Sequence, residues 1–286
     1  MEIIVDKLSY TYSGSTAESV KVLQDISFCI KPREFVGIIG ATGSGKSTLI
    51  QHLNGIITPQ KGAVYYDKED INHKDYDRIA LRSRVGMVFQ YPEYQLFENT
   101  VLEDVKFGPK NQGLNDKEAS IRAYSALELL SFPRHLVNQS PFDLSGGQKR
   151  IAAIAGVLAM KPEVIILDEP TAGLDPRGRK DILDILKRLR EETGTTVVLV
   201  SHSMEEVAEY VDRLLVLDKG RLVYDDSVKA VFSHFKELEE MDLKAPQAEY
   251  LLNALKELGF DVNTGVITLE EAAEEIIRAV GANGND

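Results

Sequence analysis

The chain has 286 residues, of which 43% are hydrophobic, enough for one large α/β domain with a small appendage and incompatible with wholesale disorder. Its formal charge of −12 argues against a protein that neutralises nucleic-acid phosphates or anionic lipid. Cys29 is the single cysteine, so an internal disulfide is excluded, and within Ile26–Ile30 it reads as a small buried hydrophobe.

The first residues, Met1–Lys7, lack a basic segment followed by an apolar core, so no signal peptide is read there. No apolar run nears the roughly 20 residues that cross a bilayer. The expectation is a cytoplasmic protein that meets a membrane only through partners.

Ile3–Tyr12 and Val22–Ile30 alternate apolar and polar positions, which predicts antiparallel strands joined by the polar loop Ser13–Ser19. Phe35–Ile39 reads as a buried strand, Ser47–Leu53 as a helix stopped by Thr58–Gly62, and Ala63–Asp67 as another strand. From about Pro92 to Met160 the pattern is mostly helical, with Asn115–Leu130 clearly periodic. Val164–Leu167, Thr196–Val200 and Leu214–Leu217 are almost continuously apolar, as expected of parallel strands covered on both faces. Arg177–Glu192 between them is amphipathic and fits a right-handed crossover helix. Beyond Tyr224, three amphipathic helices are expected at Ser227–Leu238, Ala245–Leu258 and Leu269–Val280. Thr268 and Glu271 form a capping-box signature for the last, and Gly281–Asp286 reads as a frayed tail. The expected division is a main α/β domain over 1–224, with a helical part at about 92–160, and a helical extension over 225–286.

Gly40-Ala41-Thr42-Gly43-Ser44-Gly45-Lys46-Ser47 fits G-x-x-x-x-G-K-[ST] and lies between an expected strand and an expected helix. Its glycines let backbone N–H groups face phosphate oxygens, and the helix N-terminus adds a favourable dipole. Lys46 is expected to reach the β- and γ-phosphates, the Ser47 hydroxyl to coordinate Mg²⁺, and Thr48 to touch the α-phosphate. Asp168 ends an apolar strand, where its carboxylate can hold Mg²⁺, and Glu169 follows in position to orient the attacking water. Ser145-Gly146-Gly147-Gln148, 23 residues before Asp168, presents a hydroxyl and backbone N–H groups at a second helix start.

These three runs in this order resemble the ATPase subunits of ATP-binding-cassette (ABC) machines. The resemblance implies a P-loop α/β fold: a mostly parallel core sheet, an N-terminal antiparallel β subdomain, a helical subdomain and here a small C-terminal helical extension. It implies that Ser145, Gly146, Gly147 and Gln148 cap ATP bound to a partner subunit, so that the working unit is a dimer. Gln90 matches the glutamine that senses Mg²⁺ and couples to membrane partners, and Asp175 in Gly173-Leu174-Asp175 matches the loop at the dimer interface. His202 matches the histidine that contacts the γ-phosphate. Tyr12 is the candidate adenine-stacking aromatic, with Tyr10 as its rival on the same strand face.

Gln90–Phe97, Phe107–Asn111, Ala155–Met160 and Glu169–Pro176 resemble the ATPases of energy-coupling-factor transporters, which import vitamins, cobalt or nickel. The resemblance implies a heterodimer with a second, paralogous ATPase, a homodimer being open in isolation. It also implies an integral-membrane coupling protein, a substrate-binding membrane protein, and a peripheral seat on the cytoplasmic face of the cell membrane. ATP and Mg²⁺ are the expected ligands, and no nucleic acid is expected. One departure is Ile151, where such ATPases carry an arginine; Arg150, one position earlier, projects about 100° away around a helix. The acidic, aromatic segment after Gln90, including Glu93, is expected to line the groove for the coupling protein. The C-terminal helices are expected to pack either on their own core or on the paralogue. Two other readings stand beside transport: an ABC ATPase acting on DNA or ribosomes, and a regulatory subunit that binds nucleotide without hydrolysis.

Overall fold

The structure, a computed structural model, describes residues 1–13 and 19–283. The inner part of the expected Ser13–Ser19 loop, residues 14–18, therefore lies outside the described residues. In chain order, β1 (Ile3–Ser13) and β2 (Ser19–Ile30) form an antiparallel pair, and β3 (Phe35–Ile39) leads into α1 (Lys46–Leu53). There follow β4 (Lys61–Tyr66), β5 (Glu69–Asp70), α2 (Arg78–Arg84) and β6 (Val85–Val88). The helical part comprises α3 (Val101–Asn111), α4 (Asp116–Leu129) and α5 (Gly146–Leu158). The chain returns to the sheet with β7 (Val164–Asp168), α6 (Pro176–Thr193), β8 (Thr196–Val200), α7 (Met204–Tyr210), β9 (Arg213–Asp218) and β10 (Arg221–Ser227). It finishes with α8 (Val228–Phe232), α9 (Phe235–Glu240), α10 (Gln247–Glu257) and α11 (Leu269–Asn283).

Among the described residues the strands form two sheets. One is antiparallel in the order β2-β1-β4-β5; the other runs β10-β9-β3-β8-β7-β6. In the second, β9, β3, β8, β7 and β6 are parallel, and β10 adds an antiparallel edge. Residues of β3, β7 and β8 are buried throughout, which explains their unbroken apolar sequences. The sheet's two faces belong to different clusters: Phe35, Ile39, Ile165 and Leu199 pack with the helical part, whereas Val36, Ile38, Ile166 and Val198 pack with the antiparallel sheet. That partition follows the two-residue period of a strand.

Several expectations need correction. Cys29 is half-buried rather than buried: alternation along β2 turns Phe28 and Ile30 inward and leaves the Cys29 thiol to donate to Glu2 Oε1 at 3.6 Å. The helix expected over Ser227–Leu238 is two helices, because His234 leaves helical geometry and stacks its ring on Tyr224, with centroids 5.2 Å apart. The last helix continues to Asn283, and the rest of the expected tail lies outside the described residues. Strand β10 runs through residue 224 to Ser227 before helical structure resumes. Val228, Val231, Phe232 and Leu238 join the main core, whereas Ala248, Leu252, Ala272 and Ala279 of α10 and α11 bury their own small cluster.

Candidate nucleotide site

The order β3-β8-β7-β6 sets the site. Each of these parallel strands ends at the same sheet edge, where α/β proteins bind ligands. The loop Gly40–Gly45 follows β3, His202 follows β8, Asp168 ends β7 with Glu169 after it, and Gln90 follows β6. Glu169 thus sits between its neighbours on both sides. Its Oε1 lies 2.9 Å from His202 Nε2, and its Oε2 accepts a hydrogen bond from Gln90 Nε2 at 3.2 Å. Glu169 adopts a left-handed backbone with φ 50°, and its N–H donates to Val200 O at 2.9 Å. Such a conformation is costly for a residue with a side chain, and the pairing to β8 holds it there.

Lys46 is buried on α1, and its Nζ donates to Gly40 O at 2.6 Å and Ala41 O at 3.0 Å. Burial pushes the Lys46 ammonium below the ordinary lysine range, opposed by the nearby Glu169 and Asp168 carboxylates. An anionic phosphate beside it would relieve that cost. Gly45 caps α1 at φ 103°, and a Cβ there would stand 2.8 Å from Val22 O, so only glycine fits. Ser44 Oγ is buried without a hydrogen-bond partner inside this loop.

Burial also raises the Asp168 carboxyl, while a hydrogen bond with Ser47 lowers it. Asp168 and Ser47 thus already face each other. Among the described residues no cluster of three histidine, cysteine or acidic side chains could hold a metal. A sparse set of hard oxygen donors suits Mg²⁺, which keeps several waters and binds largely through phosphate oxygens. The residues fit that ion.

Tyr12 is exposed, with its hydroxyl 3.5 Å from Thr48 Oγ1, so it stands beside the start of α1. Tyr10 shares that face but is turned toward His52, against whose ring it packs edge-on at 4.9 Å. Of the two, Tyr12 offers the accessible ring.

Leu144 is buried and anchors the second motif, while Ser145 and Gly146 are exposed. Ser145 Oγ accepts from Gln148 N at 3.3 Å, and Gln148 Oε1 accepts from Ser145 N at 3.0 Å, a complete capping box that starts α5. A Cβ on Gly146 would meet nothing within 4 Å, so nothing within this chain requires glycine there. Asp175 caps α6 by accepting from Gly178 N at 2.7 Å, and Leu174 beside it reaches the surface of Gly147.

Glu93 is placed otherwise than expected. Arg150 is buried, and its Nη2 lies 3.3 Å from Glu93 Oε2 and 3.5 Å from Gln90 O, while its Nε has no partner. Glu93 therefore turns inward to α5 and does not offer its carboxylate to the neighbouring groove. Ile151 faces away, beside Leu174, Ile182 and Ile185. The groove, of about 450 Å³, is lined by Phe97, Phe107, Asp104, Met160 and Ile79 among others. Asp104 fixes its rim by accepting from the N–H groups of Phe97 and Glu98, both at 3.1 Å.

Sequence reasoning missed Glu206, which is buried on α7 and accepts hydrogen bonds from Thr171 and Ser201. Ser203-Met204-Glu205-Glu206 is an S-x-x-E signal that could have found the helix. It would have misdirected the carboxylate, because Ser203 Oγ does cap Glu206 N but the Glu206 side chain turns elsewhere.

The ABC transporter family profile matches residues 23–172. The chain is 45% identical over its whole length to the "Energy-coupling factor transporter ATP-binding protein EcfA2" of Caldanaerobacter subterraneus subsp. tengcongensis, also covered in full. It is 48% identical to the protein of that name from Symbiobacterium thermophilum, with 96% of each chain covered. Among solved structures it is similar to cbiO1 of Clostridium perfringens, described as part of the ABC transporter complex cbiONQ. That match has a TM-score of 0.73 and 38% identity, over 83% of this chain and 93% of the other. It is also similar to the dimeric ATP-binding cassette MJ0796 bound to ADP and Pi, with a TM-score of 0.72 and 31% identity, over 79% of this chain and 98% of the other. The phosphate loop, the paired Asp168 and Glu169 and the outward-facing Ser145–Gln148 turn thus stand on the fold of these relatives: the chain belongs to the ABC family, as an ATPase of the energy-coupling-factor transporter type.

Proposed function

We propose that this chain is the ATP-hydrolysing motor subunit of an energy-coupling-factor importer that takes up a vitamin or a transition metal. The carrying observation is Glu169 held between Gln90 and His202 at the sheet edge that also presents Lys46 and Asp168. Residues 40–48 hold the phosphates of ATP, with Lys46 on the β- and γ-phosphates and Tyr12 against the base. Ser47, Gln90 and Asp168 hold Mg²⁺, which when bound neutralises charge on the transferring phosphoryl group. Glu169 orients the attacking water and draws its proton, and His202 steadies the γ-phosphate from the other side.

Ser145, Gly146, Gly147 and Gln148 act on ATP held by a second chain. The open space around Gly146 supports this, since it allows close approach from outside. Asp175 lies in the loop beside that motif and belongs to the same interface. The second chain is a paralogous ATPase, with a homodimer in isolation. We assign the ATPase domain to the chain through the end of β10 at Ser227, and the helices that follow to an extension that contributes to the dimer contact. Exposed Leu251 on α10, Leu258 just after it, and Ile277 and Val280 on α11 support that contact.

The groove bearing Phe97 and Phe107 receives the integral-membrane coupling protein, which works with a substrate-binding membrane protein. Among the described residues no helix is long and apolar enough to cross a membrane, so these partners would hold the chain at the cytoplasmic face. The net charge of −12 gives no support to a nucleic-acid partner. The test is co-purification from membranes. Wild-type chain should bring down a second ATPase and membrane proteins, and Phe107→Asp should lose the membrane proteins while still binding ATP. Unchanged co-purification of Phe107→Asp would remove the groove from this role.

A further inference from the structure

Glu169 and His202 lie on different loops, after β7 and β8, and nothing in either loop alone fixes their separation. Beneath both lies Glu206, 8% exposed, in the first turn of α7. Its Oε2 accepts from Thr171 Oγ1 at 3.0 Å and from Ser201 Oγ at 2.9 Å. Thr171 is two residues beyond Glu169, and Ser201 immediately precedes His202.

The residues flanking His202 are tied to the same side chain and its backbone. Ser201 Oγ, while donating to Glu206, accepts from Ser203 N at 3.0 Å, and Ser203 Oγ accepts from Glu206 N at 3.3 Å. The His202 backbone is thereby pinned on both sides, and the Glu169 loop is joined to it through Thr171. Thr171 and Ser201 are themselves buried, at 5% and 3% exposure, so water does not compete for these bonds. A buried carboxylate is costly unless hydrogen-bonded, and the two hydroxyls donating to Oε2 offset that cost.

We propose that Glu206 is a positioning residue for hydrolysis, the side-chain acceptor that, beside the backbone bond from Glu169 N to Val200 O, keeps His202 Nε2 and Glu169 Oε1 in register. The role rests on the reading of Glu169 and His202 as the hydrolytic pair. The Glu206 carboxylate bonds Thr171 and Ser201 and, among the described residues, none of residues 40–48, so it acts on turnover and not on ATP affinity.

The test is steady-state ATPase of the full chain. Glu206→Leu removes the acceptor at similar volume and should lower kcat by about 10- to 100-fold, with KM for ATP within about twofold. Glu206→Gln keeps an oxygen for both hydroxyls and should restore kcat to within about threefold of wild type. In a His202→Ala background, Glu206→Leu should cost little more, because the residue it positions is gone. Wild-type kcat in Glu206→Leu, an equal loss in both backgrounds, or a Gln variant as impaired as the Leu variant would each overturn the proposal. Should Glu206→Leu fail to fold, Ser201→Ala decides: a lowered kcat at constant KM supports the role, and an unchanged kcat contradicts it. Glu169→Gln measured alongside separates the two levels, since its full activity would overturn the hydrolytic pair itself.

Discussion

Glu169 Oε1 lies 2.9 Å from His202 Nε2, although the two residues are carried by separate strands of the parallel sheet. Because β7 lies between β8 and β6, the same carboxylate also meets Gln90 through its other oxygen. A group so held on both sides is preorganised toward whatever stands over the sheet edge. Preorganisation of this kind is the main contribution a protein makes to phosphoryl transfer.

On the proposed reading, nucleotide affinity rests on Lys46. At ATP a hundredfold above its dissociation constant, the wild-type chain should gain about 2.7 kcal/mol of stability, read as a rise in Tm of several degrees. Lys46→Ala should show no such rise at the same ATP concentration. An undiminished thermal shift would take Lys46 out of the phosphate site.

Gly146→Ala separates folding from function. The position is open and starts a helix, so alanine should leave stability equal or better by about 0.5 kcal/mol in chemical denaturation. Hydrolysis should nevertheless fall by at least about tenfold, because the added methyl obstructs approach by a partner's nucleotide. Unchanged ATPase activity would mean that Gly146 faces solvent in the working assembly.

The Arg150–Glu93 pair ties the helix begun by Ser145 to the segment that follows Gln90. Arg150→Ala strands the Glu93 carboxylate and should cost about 2–3 kcal/mol in denaturation, a little under the usual loss for a fully buried pair because Glu93 is partly exposed. It should also lower kcat by loosening Gln90. A double variant, Arg150→Met with Glu93→Leu, should recover most of the stability but not the turnover. Full recovery of both would reduce the pair to a packing element.

What could be read in advance was whatever is local. Gly40–Ser47 declares itself because its chemistry lies in eight consecutive residues, and the strands β3, β7 and β8 because burial on both faces leaves only apolar side chains. Glu206 was invisible because its meaning depends on Thr171, 35 residues away, and on a sheet order that one sequence does not state. Glu93 was misplaced for the same reason, since its partner Arg150 lies 57 residues away. The break between α8 and α9 escaped because helical periodicity continues through His234, and only the stacking on Tyr224 shows why the backbone turns.

The C-terminal extension carries a pH-sensitive site. Burial raises the Glu249 carboxyl, partly offset by Asn253, whose amide donates to Glu249 Oε1 at 3.0 Å. A carboxyl raised in the folded state opposes folding when ionised, so Glu249→Gln should raise Tm at pH 7. The gain should shrink as pH falls through the raised value and vanish below the ordinary glutamate range. A Tm difference that grows on acidification would reverse the assignment.

The central claim is that this chain hydrolyses ATP as half of a two-chain unit, with Glu169 driving the step that reopens it. Sedimentation of Glu169→Gln with ATP and with ADP, paired with its turnover rate, tests this most directly. The claim predicts turnover reduced by at least about a hundredfold and a two-chain species that forms with ATP and not with ADP. A variant that stays a single chain while saturated with ATP, or that hydrolyses at the wild-type rate, would contradict it.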